Sequence, residues 1–346
     1  MAKRKINTMK ELSEAIGISR PTLSRYFQDP TSVRPSTSQK IKDGLSEVDY
    51  VYNFLATRQN RRSTELIGVI IPHHEDLFFA SLLEAIERHA RKLGYTIMTQ
   101  SSDGDPEIEE HAVRKLRSMS ADGAIVAPLG NASSMELFQW VCDDLPIVFV
   151  DAHLTGDVAC ADFVGTDNSQ SVSSLMEYLC RAGDVPCFLG MPRVNTNAIE
   201  RENAYVEKMR ALGHEPKIIE AVGADDSWEF EAFGHGVMDH HFSRQRYTDA
   251  TILCANDRVA IGAIRAANKH GLFAPGHDAR SALRIAGHDD HPLSRYMYPA
   301  VTTVAQDVEG IAKSAVDLLV ERIRGERAGE PVRLLKEAAL KLRESA

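Results

Sequence analysis

Ser19, Arg20, Thr22, Ser24 and Arg25 crowd around Pro21 in the stretch "GISRPTLSRYF". A guanidinium in a major groove can bond guanine O6 and N7 bidentately, and small hydroxyls can hold phosphate oxygens. The cationic run Lys3–Lys5, Arg34 and the amides at helix starts suit phosphates as well. A second set of chemistry-bearing residues closes apolar runs further along, in "IIPHHEDLFF", "VFVDAH", "FLGMPRVNTN", "LCAND" and "AGHDD". Carboxylates, amides and imidazoles at strand ends suit a polar ligand, whether a receptor or an enzyme holds it. Metal-type residues gather in "GHDDHP" and "HGVMDHH". In the latter, His235 and Asp239 stand at i and i+4, a spacing able to share a metal, on a helix expected at the surface. His240 and His241 point elsewhere, so no metal is expected. No Ser-His-Asp elbow, Walker loop or G-x-G-x-x-G follows a strand, which leaves catalysis without a nucleophile or phosphate cradle and predicts no cofactor.

The elements that must position these residues follow from pattern. In "NTMKELSEAIGISRPTLSRYF", Thr8 and Glu11 form a capping box, and Leu12, Ala15 and Ile16 make an apolar stripe. Gly17 ends the first helix; Ser19 caps the second, with Pro21 in its first turn. Leu23 and Phe27 face the first helix, and "STSQKIKDGLSEVDY" supplies a third through Ile41, Leu45 and Val48. Three short helices with a tight turn predict a helix-turn-helix head. Helix-turn-helix shapes also occur in proteins that never meet DNA, so charge has to be weighed.

The net charge of −9 is unevenly divided. Residues 1–64 hold 12 Lys and Arg against six Asp and Glu, a net of +6 that leaves −15 for residues 65–346. A polyanion-binding segment joined to an acidic body accounts for that division; a basic tail is the blander account. Five cysteines without a C-x-x-C pair suggest a reducing compartment. "MAKRKINTMKE" lacks an apolar segment behind its basic residues, and no apolar run approaches the ~18 residues of a membrane span. A cytoplasmic protein without a membrane partner is expected.

From residue 65 buried strands alternate with amphipathic helices: "LIGVII", "FFASLLEAIERHARKLG", "YTIMTQ", "EIEEHAVRKLRSM", "GAIVAP", "SSMELFQWVCD", "PIVFVD". The rhythm restarts at "QSVSSLMEYLCRAG" and runs to "LRIAGHDD". Alternation of this kind predicts parallel sheets with helices on both faces, here as two doubly wound lobes of similar build.

Taken together, "TMKELSEAIGISRPTLSRYFQD", "IGVIIP…DLFF", "FVGTDN", "ILCANDRVAIGAIRAANKHGL", "IAGHDD" and "PAVTTVAQD" stand in an order that resembles the lactose-repressor (LacI/GalR) family of bacterial transcription regulators. The resemblance covers nearly the whole chain. It implies a small all-α helix-turn-helix head on an α/β core like that of periplasmic binding proteins. It also implies a homodimer on double-stranded operator DNA, more a repressor than an activator, and a small-molecule effector between the lobes. Family effectors are mostly sugars, sometimes sugar phosphates, nucleosides or purines. "LKLRESA" carries no heptad repeat, so a dimer rather than a tetramer is expected.

Carried over position by position, the family pocket falls on Phe78 and Phe79 as an apolar wall and on Ala127 and Asp151 at strand ends. Asn195, Asn197, Arg201, Asn256, Asp289 and Gln306 would be its polar contacts. Trp228 aligns ambiguously with Ser227, and His73 or His74 could reach the ligand from the first strand end. Domain limits are expected at 1–50 for the head, 51–64 for a hinge and 65–346 for the core. Lobe 1 would take about 65–163 and 306–335, lobe 2 about 164–305 and 336–346. The hinge "NFLATRQ" departs from the family's N-x-x-A-R-x-L: Asn53 and Ala56 match, but Thr57 and Gln59 replace Arg and the base-wedging Leu. Asn53 and Arg58, with Arg61 and Arg62, could still serve phosphates or a minor groove, or the segment could be a plain tether. A metal-dependent enzyme and a transport binding protein are the competing readings.

Overall fold

The computed structural model describes residues 3–50, 63–155, 161–181, 185–222, 227–273 and 283–346. The chain divides into two compact units, Met1–Thr64 and Glu65–Ala346. Asn53 and Arg58, and the other expected hinge residues up to Arg62, lie outside the described residues.

In the first unit, β1 (Arg4–Ile6) precedes α1 (Met9–Ile16), α2 (Arg20–Gln28) and α3 (Pro35–Glu47), and β2 (Val48–Tyr50) runs parallel to β1. Thr8 Oγ1 accepts from Glu11 N–H at 3.2 Å, while the Glu11 carboxylate reaches back to the Asn7 N–H at 2.9 Å. Gly17 closes α1 at φ 70°, a left-handed turn that favours glycine. Ile6, Leu12, Leu23, Tyr26, Val33 and Ile41 form the core. Three expectations need correction. Ala15 is exposed, because Leu12 and Ile16 suffice to cover the stripe. The third helix stops at Glu47: "VDY" is a strand, whose backbone groups find partners along Arg4–Ile6. Ser19 occupies the cap position of α2, but its hydroxyl bonds Thr22 Oγ1 at 2.8 Å; Pro21 has removed one N–H that a cap would satisfy.

The second unit opens with β3 (Leu66–Ile71), α4 (Leu77–Lys92), β4 (Thr96–Ser101), α5 (Pro106–Ser118), β5 (Gly123–Val126), α6 (Met135–Cys142), β6 (Ile147–Val150) and β7 (Asp162–Thr166). Next come α7 (Asn168–Cys180), β8 (Cys187–Leu189), α8 (Thr196–Ala211), α9 (Phe230–Phe242), β9 (Thr251–Cys254), α10 (Asp257–Lys269) and β10 (Arg284–Ala286). The chain finishes with β11 (Thr303–Ala305), α11 (Val308–Arg324), β12 (Arg333–Lys336) and β13 (Ala339–Lys341).

Lobe 1 is a parallel sheet of order β12-β7-β6-β5-β3-β4. Its central strands are buried along their whole length, as helices on both faces require, and the edges β4 and β12 are more exposed. Lobe 2 has the parallel order β10-β9-β8, lengthened by bridges from Phe188 to Ile218 and Ala286 to Thr302. The expected similarity of the lobes lies in their winding; among the described residues one sheet has six strands and the other three strands with two bridged neighbours. α11 packs with the lobe 1 core, and β13 pairs antiparallel with β11 beside lobe 2. The backbone thus passes between lobes near Asp167, Gln306 and Ala338.

Asp76, Asp105, Ser134, Asp167, Asn256 and Asp307 each accept backbone N–H bonds at the start of a helix. Many polar strand ends in the sequence thus serve as helix caps. The "HGVMDHH" helix lies at the surface with one face only, since Ala232 and Gly236 are exposed. Gly234, Val237, Met238, His241 and Phe242 of α9 are buried, largely against α10. Asp239 is bound by Lys269 and His270, and buried His241 Nε2 lies 2.8 Å from the Glu220 carbonyl, so the suggested His235–Asp239 pairing is not formed. Among the described residues no group of three or more His, Cys, Asp or Glu could hold a metal, and no helix is long and apolar enough to cross a membrane.

Candidate functional site

Between the lobes of the second unit lies a narrow cavity of about 40 Å³, well below the roughly 300–1,000 Å³ usual for occupied small-molecule sites, so the lobes stand close together around it. From lobe 1 come Asp76, Phe78 and Phe79 after β3, and Asp151 after β6; Gln306 stands on the crossover to α11. Lobe 2 contributes Met191, Asn195, Asn197, Arg201, Trp228, Phe230, Asn256, Arg258, Asp289 and His291. The topology brings these together because parallel strands deliver all their carboxyl ends to one edge of each sheet.

Arg201 and Asp289 form the polar centre. Arg201 Nη2 lies 2.9 Å from Asp289 Oδ1, Nε donates to Asn168 Oδ1 at 3.0 Å, and Nη1 donates to the Ala255 carbonyl at 2.8 Å. Gln306 Nε2 donates to Asp289 Oδ1 at 2.7 Å and ties the crossover to the same carboxylate. Burial opposes ionisation of Asp289, but Arg201, His288 and Gln306 outweigh it and hold the carboxyl at about 2. Behind it, His288 Nδ1 lies 2.7 Å from Asp289 Oδ1, and Nε2 lies 2.7 Å from Ser171 Oγ. Burial, with Arg201 beside it, drops His288 to about 4. Motif reading found no Ser-His-Asp elbow, yet these three side chains do form a relay. It runs away from the cavity into lobe 2, where Ser171 is wholly buried, so it orients Asp289 and presents no nucleophile.

Asn195 occupies the N-cap position of α8 but makes no capping bond. Its Oδ1 is buried against the cavity without a hydrogen-bond partner. Asn256 does cap α10, accepting from Val259 N–H at 2.8 Å, while its amide nitrogen lies 3.2 Å from Met191 Sδ. Asp151 holds φ at 63° and bonds the Asn197 side chain. Burial pushes its carboxyl up to about 7; Arg201 pulls it down, whereas Asp289 and Asp76 push it further up.

The aromatic wall is continuous: Phe78 stands edge-on to Phe79, and Trp228 lies 6.5 Å from Phe79 and 5.7 Å from Phe230 between ring centroids. The Trp228 ambiguity resolves geometrically in favour of the cavity. His73 is a correction. It does not line the cavity but stands edge-on to Trp228 at 5.1 Å, with a buried Nε2, because the chain turns at Pro72 before Asp76 enters. Ala127 is buried and does not line the cavity.

Asp76, Met191, Phe230, Arg258 and His291 also line the cavity, beyond the residues that the family resemblance implies. Asp76, Met191, Arg258 and His291 lie in or beside the polar strand ends already singled out. Phe230 belongs to "WEFEAF", next to the Trp228/Ser227 ambiguity.

Two ionic groups join the lobes beside the cavity. Arg258 on α10 donates to Asp76 at 3.0 Å and, through Nε and Nη2, to Glu231 at 2.7 Å each. On another side, His153 Nε2 meets Glu200 at 2.7 Å; Glu200 also accepts from Asn168 and Arg333. The Glu200 bond raises the His153 pKa against the opposing effect of burial.

In the first unit, Ser19, Arg20, Pro21, Arg25 and Arg34 are exposed, and Thr22 and Ser24 are half-buried. Leu23 and Tyr26 turn inward to the core, leaving α2 with an outward cationic face.

The fold and cleft define a helix-turn-helix head joined to a two-lobed ligand-binding core. Helix-turn-helix domains match residues 2–47, and the periplasmic binding protein-like domain family matches residues 185–346. The HTH-type transcriptional regulator KdgR of Bacillus subtilis (strain 168) is 25% identical over 346 residues, covering 98% of this chain and 97% of that protein. A lac repressor dimer bound to operator and the anti-inducer ONPF is 22% identical with a TM-score of 0.80, covering 98% of each chain. A complex of the transcriptional regulator CelR with cellobiose is 22% identical with a TM-score of 0.66, covering 98% of this chain and 99% of the other. The chain belongs to the lactose-repressor (LacI/GalR) family of transcriptional regulators.

Proposed function

We propose that this regulator acts in the cytoplasm as a homodimeric repressor on a pseudo-palindromic operator, released or recruited by a carbohydrate bound between the lobes. The observation that carries the effector half is the interlobe cavity, where Arg201–Asp289, Asn195, Asn197, Asn256 and Gln306 face an aromatic wall. Alternating donors and acceptors against ring faces suit a polyol with an apolar face. The CelR–cellobiose complex supports that class by analogy of fold.

For the DNA half, α2 would lie in the major groove with Arg20 and Arg25 on base edges. Ser19, Pro21, Thr22, Ser24 and Arg34 would lie at or near the backbone. Residues 51–64 would be the hinge, with Asn53 and Arg58 at DNA. Dimerisation has a geometric purpose, since two heads must reach half-sites about one helical turn apart. A ligand contacting both lobes alters their relative angle and thereby the spacing of the heads.

Gel shift on DNA upstream of its own gene, with size-exclusion chromatography and a thermal-shift screen of sugars, sugar phosphates and nucleosides, tests this. A dimer that binds one fragment and loses or gains affinity with a sugar is expected. A monomer that ignores that DNA, or a protein that turns over its ligand, would refute it.

A further inference from the structure

The cavity holds two guanidiniums, and each is already matched by a carboxylate of the chain itself. Arg258 gives Nη1 to Asp76 and the other side of its guanidinium to Glu231, and the Phe230 ring lies 4.9 Å from its carbon. Arg201 is bound to Asp289 and to two neutral oxygens. The third positive element is the N-terminus of α8, which carries about half a charge and is a common seat for anions. There Asp151 bonds the side chain of Asn197 in the first helical turn, which sets its carboxyl beside the helix start rather than on its amides. Burial lowers the pKa of His291, against the pull of Asp76 and Asp289, and its Nδ1 accepts from Leu293 N–H at 3.3 Å.

Three carboxyl groups (Asp76, Asp151 and Asp289) line the cavity against two guanidiniums (Arg201 and Arg258), and Glu231 stands behind Arg258, so the lining has no positive charge in excess. Asp76 and Glu231 share one guanidinium, Asp289 has the other, and Asp151 has no salt-bridge partner of its own among the described residues. The elevated pKa of Asp151 agrees with a carboxyl short of compensation. An incoming phosphate or carboxylate would lose its hydration and meet no uncommitted cation among the described lining residues.

We infer that the cavity excludes anionic effectors, and that Asp76, Glu231 and Asp151 enforce this by occupying the positive positions before any ligand arrives. The effector is a polyol without negative charge; sugar phosphates and sugar acids are rejected. This deepens the carbohydrate assignment above and rests on it. Asp76 has a double use, since it both caps α4 and engages Arg258 across the lobes. Releasing Arg258 should turn exclusion into acceptance.

The test is a matched ligand series on the full-length protein by thermal shift and calorimetry: neutral sugars, their 6-phosphates, the corresponding uronic acids and the 2-amino sugars, with nucleosides and nucleoside monophosphates alongside. A neutral sugar should bind at least about tenfold more tightly than its phosphate or acid. Glu231→Gln, which leaves the α4 cap untouched, should narrow that ratio by raising affinity for the anion. Asp151→Asn should do the same independently, and far-ultraviolet circular dichroism would establish that both variants fold. An anionic congener binding as tightly as its neutral parent, unchanged ratios in both folded variants, or no neutral compound binding at all would overturn the inference. Binding of a nucleoside but no sugar would instead overturn the carbohydrate assignment. The nucleoside-to-monophosphate ratio would then judge the charge rule separately.

Discussion

Removing Arg201 is the most informative perturbation, because the cost can be worked from its surroundings. Asp289 is held at about 2 against an ordinary value of 3.8. At ~1.4 kcal/mol per pH unit, that is roughly 2–3 kcal/mol of net preference for the charged form, after burial has been overcome. Arg201→Met keeps most of the side-chain volume but leaves Asp289 facing burial with only Gln306 and a neutral His288. Breaking a buried pair from one side costs about 3–5 kcal/mol. At ~2–4 °C per kcal/mol, the melting temperature of the body should fall by roughly 6–20 °C. Asp289→Asn leaves the buried Arg201 without its carboxylate and should cost a similar amount, and the Arg201→Met/Asp289→Asn double variant should be more stable than the two losses added together.

The pH dependence has a definite sign. A depressed carboxylate contributes stability that is present above its unfolded pKa, near 4, and is lost as pH falls toward 2. In Arg201→Met this acid limb should shrink, with the loss already present at neutral pH. Urea unfolding between pH 2 and 7, with sugar calorimetry at pH 7, measures both. If Arg201→Met loses under ~1 kcal/mol, or the double variant is simply additive, Asp289 does not depend on Arg201 as described.

In the head, Arg20→Ala and Arg25→Ala should each weaken operator binding by about 1–3 kcal/mol while leaving sugar affinity unchanged, as gel shift and calorimetry would report. Asp151 has the opposite sign to Asp289. With its pKa raised to about 7, folding stability should decline as pH rises from about 4 to 7, and Asp151→Asn should abolish that slope in urea titrations. The raised His153 pKa contributes stability that is full below 6.5 and fades as pH rises through the folded value, so His153→Gln should flatten that limb of a melting-temperature profile. Between α9 and α10, a Cβ at Gly234 would stand 2.2 Å from the Val259 carbonyl oxygen, and one at Gly262 2.1 Å from that of Glu231. Because both obstacles are backbone, Gly234→Ala and Gly262→Ala should each lower stability by about 1–3 kcal/mol or more despite better helix propensity; equal melting temperatures would contradict that packing.

Amphipathic period, turn glycine and charge division made the head legible, because those signals are local. β2 escaped because its partner, Arg4–Ile6, lies more than 40 residues away and nothing in "VDY" alone announces the pairing. Buried apolar runs marked the parallel strands, but the number belonging to each sheet depends on which distant strand ends up adjacent; β12 beside β7 is such a case.

The cavity divides in the same way. Residue type and strand-end position determined that Asn195, Asn256 and Asp289 would gather at one edge, since a parallel sheet sends every carboxyl end the same way. Only the tertiary structure decided what each does there. Asn256 caps its helix, whereas Asn195 leaves the cap and turns an acceptor to the cavity. Asp76 reads as a helix cap in isolation and becomes half of an interlobe ion pair once α10 brings Arg258 to it. Hydrogen-bonding capacity is a property of a residue, but which partner consumes it depends on distances of about 3 Å between segments far apart in the chain, and folding alone sets those.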